Sequence, residues 1–257
     1  MKLSIIISIL NSHEIVRRQI IHFEQMHIPD DVEILYMDDG SEPPLSKPPI
    51  SLSLKSKLNL RIVPVNNPRT ETDGIFYDGR VSIARNLGAK LAQGEFLLMT
   101  DIDYIIREAD IEYARNLKYD KARFKREFGV LLEDGTVTQD LDVLRKYGLA
   151  EERIVARGVQ ISPHPNNFII RKSVYEAIGG YRENLQGKYP SRGDTWFKRD
   201  WTNYYEAGKC TLAPAEERTT LLMFPNGKFC GDLDYNPFGL FHNFSRKTDK
   251  NPYCRTT

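Results

Sequence analysis

The sequence predicts an α/β fold on a doubly wound sheet, with its ligand crevice where the strands end. Three observations predict it. Strand and helix signals alternate through the first hundred residues, the opening strand is apolar at nearly every position, and two aspartate clusters each follow directly on a strand.

Leu3–Leu10 is a short isoleucine-rich run, as expected of a strand covered on both faces in a parallel sheet. Asn11 is placed to cap the next helix, with Glu14 at capping-box spacing, and Val16, Ile20 and Phe23 form that helix's apolar stripe. Val32–Tyr36 reads as a second strand leading into Asp38-Asp39-Gly40-Ser41. A Pro- and Ser-rich loop, Glu42–Lys57, precedes a third strand at Leu60–Val65. Apolar contacts at Val81, Ala84, Leu87 and Leu91 predict a helix over 81–92. Glu95–Thr100 is the fourth strand and ends at Asp101-Ile102-Asp103.

Tyr104–Gln160 is highly charged, balanced in sign and mostly helical in pattern, with a hairpin expected around Glu133-Asp134-Gly135. An extended piece (Asn167–Ile170), a short helix (Ser173–Ile178) and the Gly179-Gly180 break follow. Next come a helix over Trp196–Ala207, stopped by Gly208, and a strand at Leu221–Phe224 before the Pro225-Asn226-Gly227 turn. We take the chain as one domain in two halves, 1–105 and 106–257.

Composition excludes several classes. Apolar residues at 40% and charged residues at 28% suit a packed globule rather than a disordered chain. A net charge of +1 gives no global reason to bind nucleic acid or an anionic membrane. The three cysteines, Cys210, Cys230 and Cys254, are odd in number and form no C-x-x-C pair, which points to a reducing compartment; a Cys210–Cys230 disulfide is the alternative. Leu3–Leu10 is too short for a signal peptide and leads into no small-residue cleavage site, and no stretch approaches a transmembrane length. The expectation is a cytoplasmic protein without stable membrane insertion.

Asp101 and Asp103 are the strongest chemical signal. Carboxylates at i and i+2 of an extended segment project to one side, which suits a hard divalent cation, Mn²⁺ or Mg²⁺, with positions left for phosphate oxygens. Such a cation would neutralise charge on a departing diphosphate. The bland alternative is a pair of solvated loop aspartates.

The ordered set of motifs carries a resemblance. Ser4-Ile5-Ile6-Ile7, then Met37-Asp38-Asp39-Gly40-Ser41, then Ala84-Arg85-Asn86-Leu87-Gly88-Ala89, and Gly94-Glu95-Phe96 running into Met99-Thr100-Asp101-Ile102-Asp103 resemble the nucleotide-binding half of family 2 glycosyltransferases of the GT-A fold. The match covers roughly residues 1–105. The resemblance implies a nucleotide-diphosphate-sugar donor, typically a UDP-sugar, bound by Asp38, Asp39, Arg85, Asp101 and Asp103. Asp39 would accept a hydrogen bond from the base and Arg85 would lie near base and ribose. Asp103 would touch the metal directly, with Asp101 nearer the ribose and metal waters. For Asp38 and Asp39 the alternative is an Asx-type turn, and for Arg85 a surface helix arginine.

The second half departs more from the family. Members often carry an acidic pair before a helix, one of them the general base that takes the acceptor hydroxyl's proton. Ser191-Arg192-Gly193-Asp194-Thr195-Trp196 is the nearest match and has one acid, Asp194, with Asp200 as a rival and a helix N-cap as the structural alternative. His242 is a candidate third metal ligand by the same resemblance, against a half-buried histidine among aromatics. His164 reads as a loop residue, and Trp196 and Trp201 as core rather than a sugar-stacking wall.

Arg115, Lys118, Lys121, Arg123, Lys125 and Arg126 form one local basic patch, read as a solvated helix face. An acceptor glycan, a lipid-linked hydroxyl substrate or, on this patch, a DNA acceptor all remain open. A sugar nucleotidyltransferase would need a glycine-rich phosphate loop, and Ile7–Glu14 contains no glycine. A non-catalytic sugar-nucleotide or glycan binder of the same fold is the other class; retention of both Asp101 and Asp103 argues against it.

Overall fold

The computed structural model describes residues 1–45, 58–66, 71–72, 75–76, 80–162, 164, 166–183 and 193–226. The first half holds β1 (Leu3–Ile9), α1 (His13–Gln25), β2 (Val32–Asp38), β3 (Leu60–Pro64), the short pair β4 (Glu71–Thr72) and β5 (Ile75–Phe76), α2 (Arg80–Leu91) and β6 (Phe96–Asp101). Then come β7 (Tyr104–Ile105), α3 (Glu108–Arg115), β8 (Lys121–Arg123), β9 (Lys125–Phe128), β10 (Val130–Leu131), β11 (Val137–Thr138), α4 (Leu141–Lys146) and α5 (Glu151–Arg157). The last elements are β12 (Gln160–Ile161), β13 (Phe168–Arg171), α6 (Lys172–Ala177), α7 (Gly193–Glu206) and β14 (Thr220–Met223).

The main sheet runs β3-β2-β1-β6-β13-β8. Its first four strands are mutually parallel, and β13 lies antiparallel between β6 and β8. The sheet is therefore mixed. A second sheet, β12-β9-β14-β7, carries the region after Asp103 back toward the first sheet's edge.

Alternation along β1 divides the apolar interior in two, because successive side chains face opposite sides of a strand. Leu3, Ile5, Ile7 and Ile9 pack with Ile15, Val16, Ile20 and Phe23 of α1. Ile6 turns the other way, toward Ala84 and Ala89 of α2 and Phe197 and Trp201 of α7. A strand buried on both faces has no polar alternation to show, which is why it reads as a hydrophobic run interrupted only by Ser4 and Ser8.

Three local expectations are corrected. Asn11 does not cap α1: the N-cap is Ser12, while Asn11 adopts φ 47° and its Oδ1 accepts from the Glu42 backbone N–H. Glu14 pairs with Arg17 and Arg18 instead of reaching back to the cap. The middle segment is also less helical than its pattern, since Lys121–Arg123 and Lys125–Phe128 are strands. The expected hairpin does form, with Val130 opposite Thr138 and Leu131 opposite Val137. Among the described residues no helix is long and apolar enough to cross a membrane.

Candidate functional site

Sheet register puts the two acidic clusters on one edge. On β1, Ile9 is level with Asp38 of β2, and Ser8 with Asp101 of β6, so both clusters leave the sheet at the same end. Asp38 is buried and its carboxylate is taken by the loop that follows: Oδ1 accepts from Ser41 N–H at 2.9 Å and Oδ2 from Leu45 N–H at 3.0 Å. Its described role is to shape the turn that presents Asp39, whose N–H donates to the Ile9 carbonyl at 2.9 Å.

Arg85 is the centre of the site. It lies on α2, fully buried, and its guanidinium spans two acids: it donates to Asp101 Oδ1 at 2.5 Å and stands 3.6 Å from Asp194 Oδ1. It also donates to the Tyr181 hydroxyl at 2.8 Å. Burial opposes its charge, but Tyr181, Asp101 and Asp194 outweigh that and push its pKa further up. It is not a surface arginine.

Asp103 sits in the turn between β6 and β7 rather than in an extended segment. Its backbone carbonyl accepts from Phe224 N–H at 2.9 Å, and its Oδ2 from Asn226 Nδ2 at 3.0 Å, so the end of β14 clamps it. Burial, with the Asp101 carboxylate beside it, pushes the Asp103 carboxyl up to about 7. The donor set suits a hard divalent cation: both groups are carboxylates, and a dication would relieve the repulsion that now disfavours their joint ionisation. Among the described residues no three His, Cys, Asp or Glu groups gather to hold a metal unaided, so Asp101 and Asp103 would leave positions for other oxygens. His242 lies outside the described residues, as do Cys230 and Cys254; Cys210 is buried and free.

Asp194 arrives from the other half. It stands in the first turn of α7, where a negative charge is favoured, yet its carboxylate reaches outward to Asn166 Nδ2 at 2.5 Å and to Arg85. Aromatic packing fixes that placement: Phe197 of α7 stacks on Tyr181 at 4.3 Å and on Phe168 at 5.1 Å between ring centroids. Burial pushes the Asp194 carboxyl up, while Arg85 and Asn166 pull it back. Asp200, the rival, is paired elsewhere, with Arg182 donating to both its oxygens at 2.9 Å.

Asn86, next to Arg85, holds the turn that carries Tyr181. Its Oδ1 accepts from Tyr175 Oη and Tyr181 N–H, and its Nδ2 donates to the Tyr181 carbonyl. Gly180 makes the turn possible, at φ 63° and with space for no Cβ, which would stand 2.6 Å from Asn86 Oδ1. Gly179, at φ 81°, has nothing within 4 Å. Both alanine variants meet the left-handed penalty of roughly 1–2 kcal/mol, and Gly180→Ala adds the clash. Thermal unfolding is expected to show a melting-temperature loss of about 2–8 °C for Gly179→Ala and a larger one for Gly180→Ala. Equal losses would mean that the Asn86 contact constrains nothing.

Asn166, unremarked in the sequence, and His164, expected as a loop residue, stand at the same site. Asn166 and Asn167 are buried, and Thr100 donates to Asn167 Oδ1 at 2.8 Å. His164 feels the charges of Asp101, Asp194, Arg126 and Arg85, and burial holds its pKa below the ordinary value. Arg126 is buried against Tyr104 and the Ser162 carbonyl. The basic patch is broken up, with Lys118 and Lys125 its exposed lysines. Lys121 is buried with its ammonium 4.3 Å from the Phe168 ring and 4.2 Å from that of Trp201, and Arg115 is paired with Asp31 and Glu112. Trp201 is core, whereas Trp196 lies between the guanidinium groups of Arg182 and Arg199.

No protein-family model matches the chain, and no curated protein matches it by sequence. Solved structures do. Residues 1–349 of S. aureus TarS align with a TM-score of 0.53 at 18% identity, over 88% of this chain and 61% of that one. The same region in complex with UDP-GlcNAc aligns at 0.51 and 17% identity, over 86% and 58%. The mannosyltransferase PcManGT from Pyrobaculum calidifontis, in complex with GDP-Man and Mn²⁺, aligns at 0.51 and 14% identity, over 87% and 57%. The fold is that of the GT-A glycosyltransferases. The chain spans about three fifths of the length of these GT-A structures.

Proposed function

We propose that the chain is a metal-dependent, inverting glycosyltransferase that moves a sugar from a UDP-sugar to an acceptor hydroxyl. The observation that carries this reading is the buried Arg85 bridge, which joins the acid following β6 to a carboxylate on α7. Asp101 and Asp103 belong to donor and metal, and Asp194 to the acceptor. Solved neighbours with UDP-GlcNAc and with GDP-Man and Mn²⁺ support a nucleotide-sugar donor and a divalent cation. A Mn²⁺ or Mg²⁺ ion held by Asp101 and Asp103 would supply charge neutralisation for the diphosphate.

The chain's own residues then have separable roles. Asp194 accepts the acceptor proton as the hydroxyl oxygen bonds to the anomeric carbon. The bond from that carbon to the diphosphate oxygen breaks, and its electron pair leaves with UDP. Arg85 holds both flanking carboxylates in place, and its charge opposes the protonation of Asp194 that burial favours. A glycan or lipid-linked hydroxyl fits better than DNA, because the basic patch is broken up: Lys121 and Arg126 are buried and Arg115 is paired with Asp31, which leaves Lys118 and Lys125 as its exposed lysines.

The donor base is tested by calorimetry. UDP is expected to bind more tightly than GDP, and Asp39→Ala to weaken UDP by about 1–3 kcal/mol, the usual loss when a buried hydrogen-bonding group is left unmatched. A preference for GDP would overturn the uracil assignment while leaving the catalytic cluster intact.

A further inference from the structure

We infer that Asn166 is a positioning residue for the transfer step: its amide holds the Asp194 carboxylate ready to take the acceptor proton. This rests on Asp194 being the base. The segment carrying Asn166 runs directly into β13, and the β13–β6 register, with Phe168 opposite Met99, continues to set Asn166 level with Asp101. The Thr100 hydroxyl pins the neighbouring Asn167 to β6. The placement is thus fixed by the sheet, not by Asp194.

The amide contacts are one-sided. Asn166 is 8% exposed, and its Nδ2 donates to Asp194 Oδ2 at 2.5 Å. Its Oδ1 is buried with no hydrogen-bond partner among the described residues. Turning the amide over would aim that oxygen at a carboxylate oxygen, so Asp194 dictates its orientation. A buried amide serving only the fold would be expected to pair both ends. Among the described residues the one side-chain bond it makes is to the proposed base, with an unpaired oxygen beside it. The backbone N–H of Asn166 donates to His164 Nδ1 at 3.3 Å, leaving the neutral imidazole's proton on Nε2.

Asp194 is thereby held from two sides, Oδ2 by Asn166 and Oδ1 by Arg85 of α2. Among the described residues the other charged or titratable groups around it are Asp101 of β6, His164 and Tyr181. A donor on a carboxylate favours its ionised form, so losing Asn166 should make Asp194 easier to protonate and free to rotate.

Carboxyl-labelled aspartate NMR follows Asp194 directly, with Asp194→Asn identifying the signal. Asn166→Ala is expected to raise the Asp194 titration midpoint by about one pH unit, and the isosteric Asn166→Asp to raise it further. In turnover, Asn166→Ala should lower kcat by roughly 10–10²-fold and move its acid limb upward, with UDP affinity within about twofold of the parent. In an Asp194→Asn background the same change should cost almost nothing, because the two residues act as a unit. An unmoved midpoint overturns the inference, as does a full kcat loss persisting in that background or a collapse of UDP binding. A shifted midpoint in a protein that transfers no sugar would leave the Asn166–Asp194 link standing and sink the proposed function instead.

Discussion

Asp103→Ala is expected to abolish most sugar transfer, with a loss of at least about 3 kcal/mol in activation free energy, or more than roughly 10²-fold in rate. The reason is electrostatic. Three carboxylates, Asp101, Asp103 and Asp194, face the buried Arg85 and Arg126, and a diphosphate would add further negative charge to that cluster. Among the described residues Arg85 takes one oxygen of Asp101 and Asn226 one oxygen of Asp103, and the other carboxylate oxygens would serve a cation. Excess chelator should reproduce the alanine phenotype in the parent protein, and Mn²⁺ or Mg²⁺ should reverse it there but not in Asp103→Ala. The variant removes a buried anion whose carboxyl already sits near 7. Its fold should therefore survive, and thermal unfolding checks this independently. Undiminished transfer in excess chelator would refute the metal.

The first half of the fold was legible because its signals are local. Val32–Asp38 and Phe96–Asp101 are buried runs that each end on an aspartate as they leave the sheet, with Glu33 of the first buried beside Ser4, and the helix over 80–91 shows ordinary 3.6-residue spacing. The segment from Lys121 to Phe128 was not legible. Its lysines and arginines look like a solvated helix face, yet Lys121 is buried among aromatic rings and Arg126 beneath Tyr104. Charge content predicts exposure, and tertiary partners 22 to 97 residues away override it. Asn11 failed differently. Its spacing to Glu14 suits a capping box, but the loop returning from β2 claims its side chain through Glu42, a contact no local window contains.

At the candidate site the acids could be read in sequence and their connection could not. Asp101, Asp103 and Asp194 were recognisable as motifs, since each stands at an element end where ligands collect. That Arg85 lies between two of them follows from the packing of α2 and α7 against the same sheet face, which only the three-dimensional arrangement brings out. Asn166 carried no signal beyond preceding a strand. It matters because an antiparallel strand, β13, was inserted beside β6 and aligns the residues before it with the end of β6.

Asp194→Asn separates the base from the donor site. The amide keeps the side chain's size, and its one oxygen can still meet one of the two donors, Asn166 or Arg85, but it cannot take a proton. Transfer kcat should fall by roughly 10²–10⁴-fold, the usual worth of a positioned general base, with UDP and metal affinity nearly unchanged. Asp200→Asn is the comparison, and geometry separates the two sharply. Asp200 is committed to Arg182, which donates to both of its oxygens in a partly exposed pair, so its loss should cost at most about 1 kcal/mol of stability and little activity. A product-anomer measurement completes the test, since one base in line with one displacement requires inversion. If Asp200→Asn proves the crippling change, the base assignment is wrong. If Asp194→Asn chiefly weakens UDP binding, the Arg85 bridge serves the donor alone, and the acceptor proton must leave by another group.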